Sequence, residues 1–124
     1  MVKEKLGSFK DLIAWQKAYK LTLEIYKITK NFPREEQYGL SAQMRRAAVS
    51  VVSNIAEGYG RKGRAEYINF LSMAYASLSE LETQLLLSKD LEYIKEENLK
   101  EPLILKDEVG GMLFSMQQKL KSAP

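Results

Sequence analysis

Residues 45–62 read "RRAAVSVVSNIAEGYGRK". Small and β-branched apolar residues fill the middle of this stretch. Cations crowd its ends as Arg45, Arg46, Arg61 and Lys62, and Glu57 is its only acid. Followed upstream, the pattern predicts a helix over about 39–57, with Gly58 placed to end it. At about 100° per residue, Leu40, Met44, Ala47, Val51 and Ile55 fall on one stripe, the expected core face. Ala42, Val49, Val52 and Ala56 gather on the opposite side. Arg46, Ser50, Ser53 and Glu57 form a polar seam between the two. A helix apolar on two sides is buried on two sides. A small bundle covers one of them well, so the other predicts contact with a second subunit.

Three more helical segments follow from apolar residues at spacings of three and four. The first spans about 9–30. Ser8 is its expected N-cap, with Asp11 three residues on as a capping-box partner, and Asn31-Phe32-Pro33 closes it. Leu12, Trp15, Tyr19, Leu23 and Tyr26 share one face of that helix. The third spans about 65–91, where Tyr67, Leu71, Ala74, Leu78, Leu81, Leu85 and Ser88 keep a 4-3 spacing. The aromatic residues Trp15, Tyr19, Tyr26, Tyr67, Phe70 and Tyr75 are expected in the core. The fourth is expected near 101–121, because Pro102 suits only a first turn. Its stripe is Leu105, Val109, Met112, Met116 and Leu120. Gly110-Gly111 weakens it locally, which close helix approach would explain. Short links make sequential helices antiparallel. The expectation is one all-α domain over residues 1–124, an antiparallel up-down-up-down four-helix bundle.

The chain has 124 residues, 45% hydrophobic and 28% charged, the profile of an ordinary globular domain. No apolar run approaches the roughly 20 residues that span a bilayer. Residues 1–8 show no apolar signal core, so the expected location is the cytoplasm. Cysteine and histidine are both absent. Disulfides, thiolate nucleophiles, His bases and the usual zinc or di-iron ligand sets are therefore excluded. No enzyme activity, cofactor or metal is expected. Residues 1–64 hold thirteen Lys/Arg against six Asp/Glu, and residues 65–124 hold six against ten. Such asymmetry suggests an electrostatic partner for the basic half, or complementary packing between the halves or between subunits.

The strongest candidate site is the cluster Arg45, Arg46, Arg61, Lys62 and Arg64. Arg61, Lys62 and Arg64 sit in a glycine-rich turn at the start of a helix, a setting that suits phosphate. They read as nucleic-acid contacts, or as cations matched to acids such as Glu57. Asn54, at the edge of the core stripe, needs polar partners. Glu57 lies beside a helix C-terminus, where an acid is unfavourable, and is expected to pair with an arginine from another helix or subunit. A metal site with Glu80 or Glu82 is the lesser alternative.

"FKDLIAWQKAYKLTLEIYKITKNFP", "YGLSAQMRRAAVSVVSNIAEGYGR" and "YINFLSMAYASLSELETQLLLSKDLEYI" resemble the small four-helix proteins of the 23S rRNA intervening-sequence family. The resemblance runs from about Phe9 to Ile94. That family is similar in fold to the accessory variability protein of diversity-generating retroelements, a basic ring that binds nucleic acid and a reverse transcriptase. The resemblance implies a left-turning bundle assembled into a ring, a pentamer. It places the family's arginine pair on Arg45 and Arg46. Its Ser, Asn-Ile-Ala-Glu-Gly and Arg fall on Ser50, Asn54, Ile55, Ala56, Glu57, Gly58 and Arg61. Val51-Val52 stands where the family usually has Ile-Pro, so a kink is not expected there. Ala76-Ser77 stands where it often has Gly-Ser.

The expected function is a non-enzymatic, homo-oligomeric bundle that binds RNA or DNA through phosphate contacts. The alternatives are a ring-shaped adaptor for a polymerase or another protein partner and, more weakly, a Mg²⁺-dependent nuclease using Glu57.

Overall fold

The structure is a computed structural model and describes residues 7–123. Residues 1–6, most of the segment read for a signal sequence, and Pro124 lie outside the described residues. Four helices run α1 (Ile13–Thr29), α2 (Leu40–Tyr59), α3 (Arg64–Asp90) and α4 (Glu96–Ser122). Each packs on its sequence neighbour, and α1 also packs on α4. The bundle is therefore four-cornered, with successive helices antiparallel.

The first helix starts later than its sequence suggests. Ser8 and Asp11 do form a capping box, but around a separate 3-10 turn over Phe9–Asp11. Leu12 is extended, and the α-helix begins after it. Its buried face is Ala14, Ala18, Leu21, Ile25 and Thr29. The aromatic face expected in the core points outward instead: Tyr19, Leu23 and Tyr26 are exposed and Trp15 is half-buried. Ala14 and Ala18 are the physical reason. Small side chains let neighbouring helices approach, and large rings do not fit that gap.

The second helix keeps its expected stripe. Leu40, Met44, Ala47, Val51 and Ile55 are all buried, joined by Ala48. The helix runs uninterrupted through Val51-Val52. The helix runs through Gly58 to Tyr59, so Gly58 is not its cap. A Cβ on Gly58 would lie 2.9 Å from Phe70 Cβ and 3.0 Å from Tyr67 Cδ1. The glycine is there because α2 and α3 nearly touch.

The third helix buries its whole predicted seam, from Tyr67 to Ser88. Of the other aromatics, Phe70 is half-buried and Tyr75 exposed. It ends in a Schellman-type turn: Tyr93 N–H donates to the Ser88 carbonyl and Glu92 N–H to that of Lys89, both at 2.9 Å. Glu92 occupies the left-handed position with φ 66°.

The fourth helix begins at Glu96, a turn and a half before the expected start, and holds Pro102 in its interior. Leu99 and Pro102 are both buried. Burying that extra turn offsets the backbone hydrogen bond that proline cannot make. Leu113 joins the core, while Met112 and Met116 are half-buried. Gly110 approaches Leu78, but a Cβ on Gly111 would meet nothing within 4 Å. Close packing thus accounts for one glycine of the pair.

Both ends are tied across elements. At one, Glu36 accepts from Leu40 N–H at 3.0 Å and from the Tyr93 hydroxyl at 2.9 Å. The backbone bond, then Tyr93, holds the Glu36 carboxyl below its usual range, and the same contact pushes the Tyr93 hydroxyl up. At the other, Arg64 donates to the Ala123 carbonyl at 2.7 Å.

Candidate nucleic-acid interface

The five candidate cations separate into four environments. Arg45 leaves α2 toward α1. Its Nε donates to Thr29 Oγ1 at 2.8 Å, and its guanidinium lies 4.7 Å from the Tyr26 ring centroid. This places a cation against the last turn of α1, where the helix dipole favours it. Arg46, one residue on, is 100° further round the helix and exposed on the side of α3.

Arg61 and Lys62 occupy the α2–α3 turn. Arg61 donates to Glu57 Oε2 at 2.9 Å and stacks 4.6 Å from the Phe70 ring centroid. Glu57 therefore finds its arginine at i+4 in its own chain, not on another helix or subunit. Lys62 is exposed. Arg64 is held by the Ala123 carbonyl. Along α2, Arg46 and Arg61 are roughly 20 Å apart. Arg46 and Arg61 thus lie on one long edge of the bundle, between α2 and α3, with Lys62 in the turn at its end; Arg45 faces α1 and Arg64 reaches the end of α4.

Between those cations lies a small polar cluster. Ser50 Oγ and Ser77 Oγ are 2.8 Å apart, bridging α2 and α3. Asn54 Nδ2 donates to the Ser50 carbonyl at 2.8 Å and to Ser50 Oγ at 3.0 Å. Asn54 and Ser50 satisfy one another half-buried, as a polar pair at a helix contact must. Ser77 is the partner that periodicity alone does not reveal.

The expected subunit face is where α2 leaves it open. Val49 is exposed, and Ala42, Val52 and Ala56 are half-covered. Arg45, Tyr26 and the Thr22–Ala48 hydrogen bond (3.2 Å) put that face beside the aromatic outside of α1. The two form one apolar edge. The signal for its α1 part was present in the sequence as the Ala14–Ala18 stripe, which marks the opposite side as outward.

Glu57 does not meet Glu80 or Glu82. It lies beside Phe70 through Arg61, roughly 15 Å along α3 from Glu80. Glu82 instead holds Lys106 of α4. Burial works against the Lys106 charge, but hydrogen bonds to Asp107 and Glu82 outweigh it and keep its pKa above the ordinary lysine value. Among the described residues, no group of three or more His, Cys, Asp or Glu is placed to hold a metal ion. No helix among them is long and apolar enough to cross a membrane.

The description "23S rRNA-intervening sequence protein" matches residues 10–115. The chain belongs to that family. The match extends past the region of sequence resemblance into α4. A crystal structure of a protein of unknown function from the S23 ribosomal protein family of Bacteroides thetaiotaomicron superposes with a TM-score of 0.77 at 27% identity. It covers 86% of this chain and 99% of its own. No curated protein matches. The family match and the solved structure agree with the four-helix bundle described above.

Proposed function

We propose that this intervening-sequence protein is a non-enzymatic, cytoplasmic homo-oligomer that binds RNA or DNA through phosphate contacts. The observation that carries the reading is the cationic line Arg46, Arg61, Lys62 along the α2–α3 edge, where the nearby acid, Glu57, is already engaged by Arg61. Arg61 is pre-positioned by Phe70 and Glu57, and Arg46 and Lys62 reach solvent. Arg45 and Arg64, the other two expected contacts, face α1 and the end of α4 and not this edge. The family's tie to an rRNA intervening sequence makes structured RNA the first ligand to test. The apolar side of α2 supports assembly, and the resemblance implies five subunits.

Three phosphate contacts per subunit give a slope of about −2 to −3 in log affinity against log salt. Raising salt from 50 to 200 mM should then weaken binding to a structured rRNA fragment about 20- to 40-fold. Fluorescence anisotropy measures this directly. Absence of binding at 50 mM overturns the proposal. A salt-independent protein partner recovered in its place would favour an adaptor role.

A further inference from the structure

The α1–α4 edge is unevenly filled. Lys17 pairs with Glu108 at 3.0 Å, which fixes the antiparallel register of the two helices. In that register Ile13, the first residue of α1, stands opposite Met112. The fourth helix runs on to Ser122, roughly 15 Å further. Before Ile13 the chain is extended at Leu12 and then forms the 3-10 turn Phe9–Asp11, which packs on α1 and α2. The last turns of α4 therefore have no helix beside them on this edge, and a groove of about 740 Å³ opens there.

The groove reaches the core. Ala14, Tyr67 and Leu120 form its buried floor, and Leu12, Met112 and Met116 line it half-buried. Small-molecule sites hold ~300–1,000 Å³ and combine an apolar lining with a few polar groups, as this groove does. Thioether sulfurs and a tyrosine ring favour an aromatic guest.

The mouth selects a charge. Asp11, Asp107, Glu108 and Lys119 line it, all exposed. Glu108 is held by Lys17, and Asp107 by Lys106, which also pairs with Glu82. With those partners counted, four acids face three lysines. Asp11 is the acid left over. Its Oδ2 accepts from the N–H groups of Gly7 and Ser8 at 3.0 and 3.3 Å, and among the described residues no cation pairs with it.

We propose that the groove between the 3-10 turn and the end of α4 binds a small amphipathic organic cation. Its aromatic body lies on Tyr67 and Leu120 between the two methionines, and its positive charge sits at the Asp11 carboxylate. This edge lies diagonally opposite the one that carries Arg46, so the inference does not rest on the nucleic-acid reading.

The test is a fluorescence titration of the full-length protein, free of nucleic acid, with berberine, a planar aromatic cation whose emission rises in apolar surroundings. Wild type should bind it saturably with a Kd in the micromolar range. Ser115→Phe places a ring in the groove from an exposed position of α4 and should weaken binding at least about tenfold. Asp11→Asn keeps an acceptor for Gly7 and Ser8 but removes the charge, and should weaken binding about two- to fivefold. Circular dichroism checks folding, and Ile13→Lys, at another exposed groove position, replaces Ser115→Phe if that variant fails to fold. Anilinonaphthalene sulfonate, an apolar anion, should bind more weakly than berberine. No saturable binding by wild type, undiminished binding by either Ser115→Phe or Asp11→Asn, or a preference for the anion overturns the inference. So do two results that name another occupant. A V2S/L6S variant that binds berberine where wild type does not gives the groove to the chain's own N-terminal residues. A wild-type affinity that falls as protein concentration rises gives it to a second copy.

Discussion

Gly58→Ala and Gly111→Ala make the same chemical change inside two helices, and the structure assigns them opposite signs. Either substitution gains up to about 1 kcal/mol of helix propensity. At Gly111 the new methyl meets nothing within 4 Å, so the gain is kept. At Gly58 it would lie 2.9 Å from Phe70 Cβ, an atom fixed to the α3 backbone. The helices must part there, at an overpacking cost of about 1–3 kcal/mol. The net runs from near zero to a loss of about 2 kcal/mol for Gly58→Ala, against a gain of up to about 1 kcal/mol for Gly111→Ala. For a domain of this size each kcal/mol moves Tm by about 4 °C. The two variants differ by the overpacking cost and should therefore melt roughly 4–12 °C apart, followed by circular dichroism at one protein concentration, since assembly would shift both. A Gly58→Ala protein as stable as Gly111→Ala would refute the close approach of α2 and α3.

Adjacent arginines should part company in the same assay. Arg45→Ala loses the Thr29 hydrogen bond and the Tyr26 stack and should cost about 1–2 kcal/mol, while exposed Arg46→Ala stays within about 0.5 kcal/mol. Glu92→Gly should stabilise by about 0.5–1 kcal/mol in urea unfolding, because it relieves a left-handed residue at a helix end. Glu36 has its pKa lowered in the fold, so its contribution is present above the ordinary glutamate pKa and fades as pH falls through the lowered value. Urea midpoints for Glu36→Gln should therefore drop less than those of wild type between about pH 5 and pH 3.

The sequence made α2 and α3 legible because their core stripes are built from large apolar residues at helical spacing. Leu71, Leu78, Leu81 and Leu85 can face only one way without exposing several leucines at once. The first helix defeats that logic. Its aromatics recur at the same spacing as a core stripe, yet Ala14 and Ala18 face inward, since a narrow contact selects small side chains over hydrophobic ones. Pro102 misled for a related reason: the local rule places it in a first turn, and the burial of Leu99 and Pro102 overrides that rule. At the candidate interface, charge and position were readable but partners were not. Glu57 had an arginine four residues on, the commonest helical pairing distance, and Ser50 found Ser77 from 27 residues away. Which cations remain available for phosphate depends on those pairings.

The most direct test of the central claim is the salt slope of RNA binding in Arg46→Ala/Lys62→Ala. Both side chains are exposed, so the fold should be untouched. Loss of two phosphate contacts per subunit should flatten the plot of log affinity against log salt by about 1.5, with weaker binding at every salt concentration. A slope and affinity equal to those of wild type would contradict the assignment of the α2–α3 edge as the nucleic-acid surface.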